Sequence, residues 1–396
     1  FDAITTMSLP TQKVLQENYP GASIPSQEDV QFWEATQYID FVPTTSPTAV
    51  PLKAKVFRNN SSKELVLLMT GFNEPMLKYF EFVRELFTAG FSVCLFDHRG
   101  QSLSARERSL PKDQSQVAYV EDFSSLVEDA IDFAIHAKQL CDAQTVHMIA
   151  HSMGGLIGTY VLVKAQDLFN GQVILSCPMI ETYWGDKPPG VPRQVAHALG
   201  ALGSWLGQGQ KLPPIPGAKL SWWDPHKPIV GVNLTHSPGR LSYCHALRSL
   251  NPMVAMLGVS MGWTKAMTRA QANVKNIAHS ITNPTLLLTA EHDTLVKPEG
   301  HALLGQVVPN ICRVFVHDSY HEPLFELETI RAPTVQACLA WLKRDSEFEF
   351  NLKYPLVLSD RFPSADEGPT CSCTKHIIMG VALALSVYGV VSYRKR

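Results

Sequence analysis

Residues 145–166 read TVHMIAHSMGGLIGTYVLVKAQ. The opening TVHMIA is a short, β-branched apolar run suited to a buried strand, and the closing MGGLIGTYVLVKAQ is long enough and apolar enough for a buried helix. Ser152 stands at the junction, inside A-H-S-M-G. A strand that turns sharply into a helix lifts the serine hydroxyl above the end of a sheet, and crowding at the turn demands small neighbours. Ala150, Gly154 and Gly155 supply them. A hydroxyl is a poor nucleophile until a base takes its proton and donors hold the oxyanion it creates, so the rest of the chain must provide both.

Outward from this stretch, short apolar runs alternate with helical patterns from about residue 53 to 345. KAKVFR, ELVLLMTG, FSVCLFD, GQVILSC, PTLLLTA and CRVFVHD join TVHMIA as predicted strands. PMLKYFEFVRELFTAG and EDFSSLVEDAIDFAIHAKQL carry apolar residues at three and four spacing, and the first stops at Gly90. The alternation predicts an α/β fold: a mainly parallel sheet with helices on both faces. No internal repeat is visible.

The chain order supplies what Ser152 needs. Asp293 lies just beyond the strand in PTLLLTAEHDTLVKP, and His321 lies in the loop after the strand in CRVFVHDSYHEPLFE. Serine, acid and histidine in that order are what a serine hydrolase on such a sheet requires. Glu291 and Asp318 are the alternative acids and His317 the alternative base. Two backbone N–H groups should receive the oxyanion, that of Met153 after the nucleophile and that of Phe72 after the strand ending at Thr70–Gly71. No metal or other cofactor is expected, because the fourteen histidines show no ligand spacing and HxxxH at 317–321 falls on a strand and loop.

Residues 181–278 break the rhythm, being rich in Gly, Pro and Trp, and are predicted to form a cap or lid inserted between two core strands. Within it, PRQVAHALGALGSWLGQ aligns Val195, Leu199, Leu202 and Leu206 on one helical face, expected to pack on the core or to line a lipid path. No basic cluster in the cap marks a phosphate site. The remaining segments are an N-terminal extension (1–34), core halves at 35–180 and 279–345, and a linker (346–376). Residues 377–393, IIMGVALALSVYGVVSY, are 17 in number and lack Asp, Glu, Lys and Arg; a basic tail follows at 394–396. That is the short end of a transmembrane helix, with Arg394, Lys395 and Arg396 able to snorkel.

Net charge is −2 with no long basic run before the last three residues, which excludes a nucleic-acid partner. The eight cysteines offer no disulfide framework, and Cys94, Cys177 and Cys338 sit in apolar runs as free buried thiols. Positive-inside counting and sequons at Asn59, Asn60 and Asn233 would suit a lumenal enzyme. The free thiols and the lack of a visible signal sequence point the other way. We expect a cytosol-facing catalytic domain on a C-terminal membrane anchor, at the mitochondrial outer membrane or endoplasmic reticulum. Cys371 and Cys373 beside the anchor are candidates for palmitoylation.

With TGFNEPMLKY, FDHRGQSLSAR, AHSMGG, VNLTHSPGR, TAEHDTLV and YHEPLFE in view, the sequence resembles the α/β-hydrolase superfamily over roughly residues 35–345, and within it the lysophospholipase and monoacylglycerol lipase group. The departures are Ala150 and Ser102 in place of glycine and Thr70 in place of histidine. The resemblance implies that Ser152 attacks an ester carbonyl, His321 takes its proton, Asp293 holds the imidazole, and water releases the acyl-enzyme. It implies a structural role for DHRG at 97–100, with Arg99 pairing locally. The lid and anchor make single-chain glycerolipids the expected substrates. A broad carboxylesterase or acyl-protein thioesterase would share every one of these residues, and a catalytically silent membrane tether is the expectation from another class.

Overall fold

The seven runs predicted as strands all enter one sheet of the computed structural model, which describes residues 8–19, 21, 25–46, 49–105, 116–184, 191–214, 233–345 and 356–358. The strands are β1 (Ile39–Phe41), β2 (Leu52–Phe57), β3 (Glu64–Met69), β4 (Ser92–Phe96), β5 (Val117–Ala118), β6 (Thr145–His151), β7 (Val173–Ser176), β8 (Gly258–Val259), β9 (Thr285–Ala290), β10 (Ile311–Val316) and β11 (Leu356–Leu358). The helices are α1 (Gln12–Asn18), α2 (Gln27–Ala35), α3 (Phe80–Thr88), α4 (Phe123–Cys141), α5 (Met153–Ala165), α6 (Arg193–Trp205), α7 (Pro238–Leu250), α8 (Met261–Ile277), α9 (Pro298–Val307) and α10 (Glu328–Leu342). The nine-stranded sheet has the order β1-β2-β4-β3-β6-β7-β9-β10-β11. Its six central strands, β4 to β10 in that order, run parallel, and its edges are antiparallel.

Alternation along β3 shows why these strands read as continuous apolar runs. Leu65, Leu67 and Met69 face one core cluster with α4, α5 and α8, while Val66 and Leu68 face another with α3 and α10. Both faces are covered, so positions 65–69 of β3 are all apolar. The N-terminal extension belongs to the second cluster: Leu9, Leu15 and Trp33 are buried there, and buried Lys55 donates to the carbonyls of Trp33 (2.6 Å) and Thr36 (2.7 Å).

Three expectations change. The segment read as a linker contributes β11, whose Leu-Val-Leu pairs antiparallel with β10 and covers what would otherwise be an open sheet edge. Helix α6 forms where predicted, but it turns its small side inward: Ala196, Gly200 and Gly203 are buried, while Val195, Leu202 and Leu206 are exposed and Trp205 is 81% exposed. The cause is the approach to α8, since a Cβ at Gly203 would stand 1.9 Å from Met261 Sδ. Residues 377–393 lie outside the described residues, and among the described residues no helix is long and apolar enough to cross a membrane.

Arg99 is the third change. Among the described residues its charge partner is not local but Asp129 of α4, bound through Nε–Oδ2 at 2.6 Å with both side chains essentially inaccessible. Neighbouring Asp97 holds the same turn by accepting from the N–H of Met76 (2.7 Å) and of Leu103 (3.1 Å). Truncating one partner of a buried pair strands the other charge, so Arg99→Met is expected to cost about 3–5 kcal/mol of unfolding free energy, read as a lowered urea midpoint. A loss under about 1 kcal/mol would mean that Asp129 finds water or another donor.

Candidate active site

The turn between β6 and α5 puts Ser152 at φ 52°, ψ −116°, a conformation that β-carbon-bearing residues rarely adopt. Its N–H donates to the Ser176 carbonyl (3.0 Å) and its carbonyl accepts from Met179 N–H (2.8 Å), so β7 and the loop after it over-determine the strained turn. Gly154 is what lets α5 leave so steeply, because a Cβ there would lie 2.6 Å from the Thr70 carbonyl oxygen at the end of β3. Ala150, where glycine was the family expectation, is accommodated by Gly158 on the facing turn of α5; a Cβ at Gly158 would approach Ala150 Cβ to 3.2 Å.

His321 and Asp293 meet Ser152 from the loops after β10 and β9. His321 Nε2 lies 2.9 Å from Ser152 Oγ, and its Nδ1 lies 2.6 Å from Asp293 Oδ2. The other carboxylate oxygen of Asp293 accepts from the N–H groups of Leu295 (2.8 Å) and Val296 (2.9 Å), which fixes its plane. Burial pulls the His321 pKa down, but the charge and hydrogen bond of Asp293 overcome it and leave it raised. Burial acts to raise the Asp293 pKa, and His321 together with the two backbone donors more than reverses that. The alternatives do not reach the serine: Glu291 Oε2 engages exposed His317 (3.0 Å) and the N–H of Asp318 (3.0 Å) instead.

The loop after β3 presses against the same serine, with a Cβ at Gly71 only 3.1 Å from Ser152 Cβ. Gly71 N–H is already given to Glu74 Oε2 (2.6 Å), which leaves the next amide, Phe72, for an incoming oxygen. Met153 is the first residue of α5, where an N–H has no intrahelical acceptor. The pair predicted from sequence thus belongs to the two segments that meet at Ser152.

Beneath this loop lies a buried charge network that sequence reading passed over. Lys78 bonds Glu74 and lies 2.7 Å from Glu322, while Tyr79 Oη donates to Glu74 Oε2 (2.6 Å). Burial alone would neutralise these groups; their pairing instead keeps Glu74 low and Lys78 high. The i,i+4 spacing of Glu74 and Lys78 in NEPMLKY was the available signal. His151 packs on His321 with ring centroids 4.9 Å apart, and burial takes its pKa down to about 3, so it adds no charge beside the triad.

The donor atoms of Cys177, Asp293 and His321 lie within 4.8 Å of one another, as do those of exposed Glu291, His292 and Asp318. In the first set burial holds the Cys177 thiol protonated, and Asp293 and His321 are committed to each other. A cavity of about 210 Å³ opens onto Ser152 and His321, with Phe72, Trp184, Val259, Trp263 and Leu295 as its apolar wall. Trp184, Val259 and Trp263 come from the segment between β7 and β9.

A family model described as serine aminopeptidase S33 matches residues 60–328. The probable lysophospholipase L2 of Haemophilus influenzae is 28% identical over 269 residues, 68% of this chain and 80% of that one. Lysophospholipase L2 of Escherichia coli is 26% identical over 325 residues, covering 79% and 89% of the two chains. A soluble variant of monoglyceride lipase from Saccharomyces cerevisiae, solved with a substrate analogue, superposes with a TM-score of 0.58 at 19% identity, over 78% of this chain and 94% of that one.

Proposed function

We propose, from the premise that this chain belongs to the serine aminopeptidase S33 family of α/β-hydrolases, that it is a serine ester hydrolase cleaving single-chain glycerolipids through an acyl-enzyme on Ser152. The observation that carries the reading is the hydrogen-bonded chain from Asp293 through His321 to Ser152, opening onto an apolar cavity. In the proposed mechanism Ser152 Oγ adds to the ester carbonyl as its proton passes to His321 Nε2. The oxyanion rests on the N–H groups of Phe72 and Met153, and His321 returns the proton to the departing glycerol oxygen. Water then attacks the acyl-enzyme with His321 again as base, releasing fatty acid and free Ser152.

The two lysophospholipases among the relatives support the glycerolipid class, and the aromatic and aliphatic cavity wall suits an acyl chain. The elements between β7 and β9 act as a cap in this reading. The test is covalent labelling with a fluorophosphonate, compared with Ser152→Ala, followed by fatty-acid release from lysophosphatidylcholine and from monoacylglycerol. Labelling confined to wild type and release from at least one lipid is the expected result. A folded wild type that takes no label would remove the enzyme reading.

The same proposal tethers the enzyme to a membrane through residues 377–393, whose 17 residues include no Asp, Glu, Lys or Arg. Alkaline carbonate washing of membranes from cells expressing the full chain should leave it in the pellet. Release into the wash would remove the anchor.

A further inference from the structure

The cavity wall holds one charge that nothing among the described residues answers. Arg248 of α7 is 4% exposed and lines the same cavity as Ser152 and His321. Its Nη2 donates to the Asn73 carbonyl (2.8 Å) and its Nη1 to the Cys244 carbonyl (3.3 Å), both neutral, while its Nε–H has no partner. Among the described residues no carboxylate comes within ion-pair distance of it. A guanidinium stays charged at any physiological pH, so burying one without a counter-charge is costly unless something else supplies the negative charge.

Asn73 repeats the pattern beside it. Its N–H donates to Gln101 Oε1 (2.8 Å) and its Oδ1 accepts from Met256 N–H (2.8 Å), which fixes the side chain, yet the buried Nδ2 has no acceptor. Two buried donors of one cavity wall, one of them cationic, are therefore unfilled. The carboxylates of that wall, Glu74 and Glu322, are already joined to Lys78, and Glu74 also accepts from Gly71 and Tyr79. Asn73 directly follows Phe72, whose N–H is the proposed oxyanion donor, and the residues carrying the unfilled donors line the same cavity as Ser152.

We propose that Arg248 and Asn73 form an anion subsite that receives the phosphodiester of a lysophospholipid headgroup. This rests on the glycerolipid reading above and deepens it, because a monoacylglycerol has no charge to offer. Phosphate oxygens match the guanidinium edge in geometry and charge, and the three-carbon glycerol links them to the scissile ester. The single arginine comes from a helix far along the chain from Asn73, which is why no basic cluster in the sequence announces it.

The test compares kcat/KM for lysophosphatidylcholine and for monoacylglycerol of the same acyl chain in wild type, Arg248→Met and Arg248→Lys. The methionine variant should lose about 10- to 100-fold on the lysophospholipid, chiefly in KM, and less than about threefold on monoacylglycerol, with lysine between. Equal losses on both lipids, or none, would overturn the subsite. Labelling by fluorophosphonate reports folding, and if the methionine variant does not fold, the same selective loss is read in the lysine variant. Glycerol 3-phosphate should inhibit p-nitrophenyl butyrate hydrolysis competitively in wild type and not in Arg248→Met. If the variant instead loses inhibition by butyrate alone, the site takes the product carboxylate and the proposal fails. If wild type hydrolyses neither lipid but still shows Arg248-dependent inhibition by glycerol 3-phosphate, the lipid reading falls and the anion subsite stands.

Discussion

Replacing Ser152 by alanine is expected to lower kcat by about a million-fold while leaving the protein folded. The nucleophile and its base act as one unit, so removing the serine also idles His321 and Asp293. What remains is binding and the oxyanion donors, worth about a thousand-fold over water. Stability should change little because alanine faces the same positive φ as serine and keeps the backbone bonds to Ser176 and Met179. Among the described residues, the side-chain bond forfeited is the one to His321 Nε2, in a cavity that water can enter. Fatty-acid release and the thermal midpoint measured on one preparation check both halves. Residual turnover above about one per cent of wild type with an unchanged midpoint would show that another group carries the reaction.

Most of the sheet was legible because a strand buried on both faces has one solution, a short run of apolar residues, and seven such runs stood clear of their surroundings. Asp293 and His321 were legible for a related reason: side chains at the carboxyl ends of parallel strands converge on one edge, so chain order becomes spatial order. What escaped notice depends on contacts between distant segments. The two-residue strands β5 and β8 exist only as each other's partner, and β11 only as cover for β10. Amphipathicity suggested core packing for the leucine face of α6, but Gly200 and Gly203 favour close approach to α8 over burial of leucines. Arg99 and Asp129 are 30 residues apart, and Arg248 and Asn73 are 175 apart; no periodicity reports such pairs.

Asp293→Asn is the more discriminating change, because it keeps shape and volume while altering one proton. Asp293 Oδ1 accepts from two backbone N–H groups, of Leu295 and Val296, so the asparagine oxygen will take that position and its NH₂ will face His321. His321 Nδ1 must then accept, its proton moves to Nε2, and Nε2 can no longer take the proton of Ser152. A loss of about ten-thousand-fold in kcat is expected. The pH profile carries the second signature. A base works only when neutral and is protonated below its pKa, so the raised pKa of His321 sets the acid limb of wild-type activity above the usual histidine range. In the variant, burial remains and the Asp293 charge is gone. Only the weaker influence of Glu322 and Glu74 still favours protonation, so the limb should move to lower pH. Rate loss with an unmoved acid limb would mean that Asp293 does not govern the protonation of His321. The carboxylate would then have to act on some other step than holding the imidazole in the form that Ser152 needs.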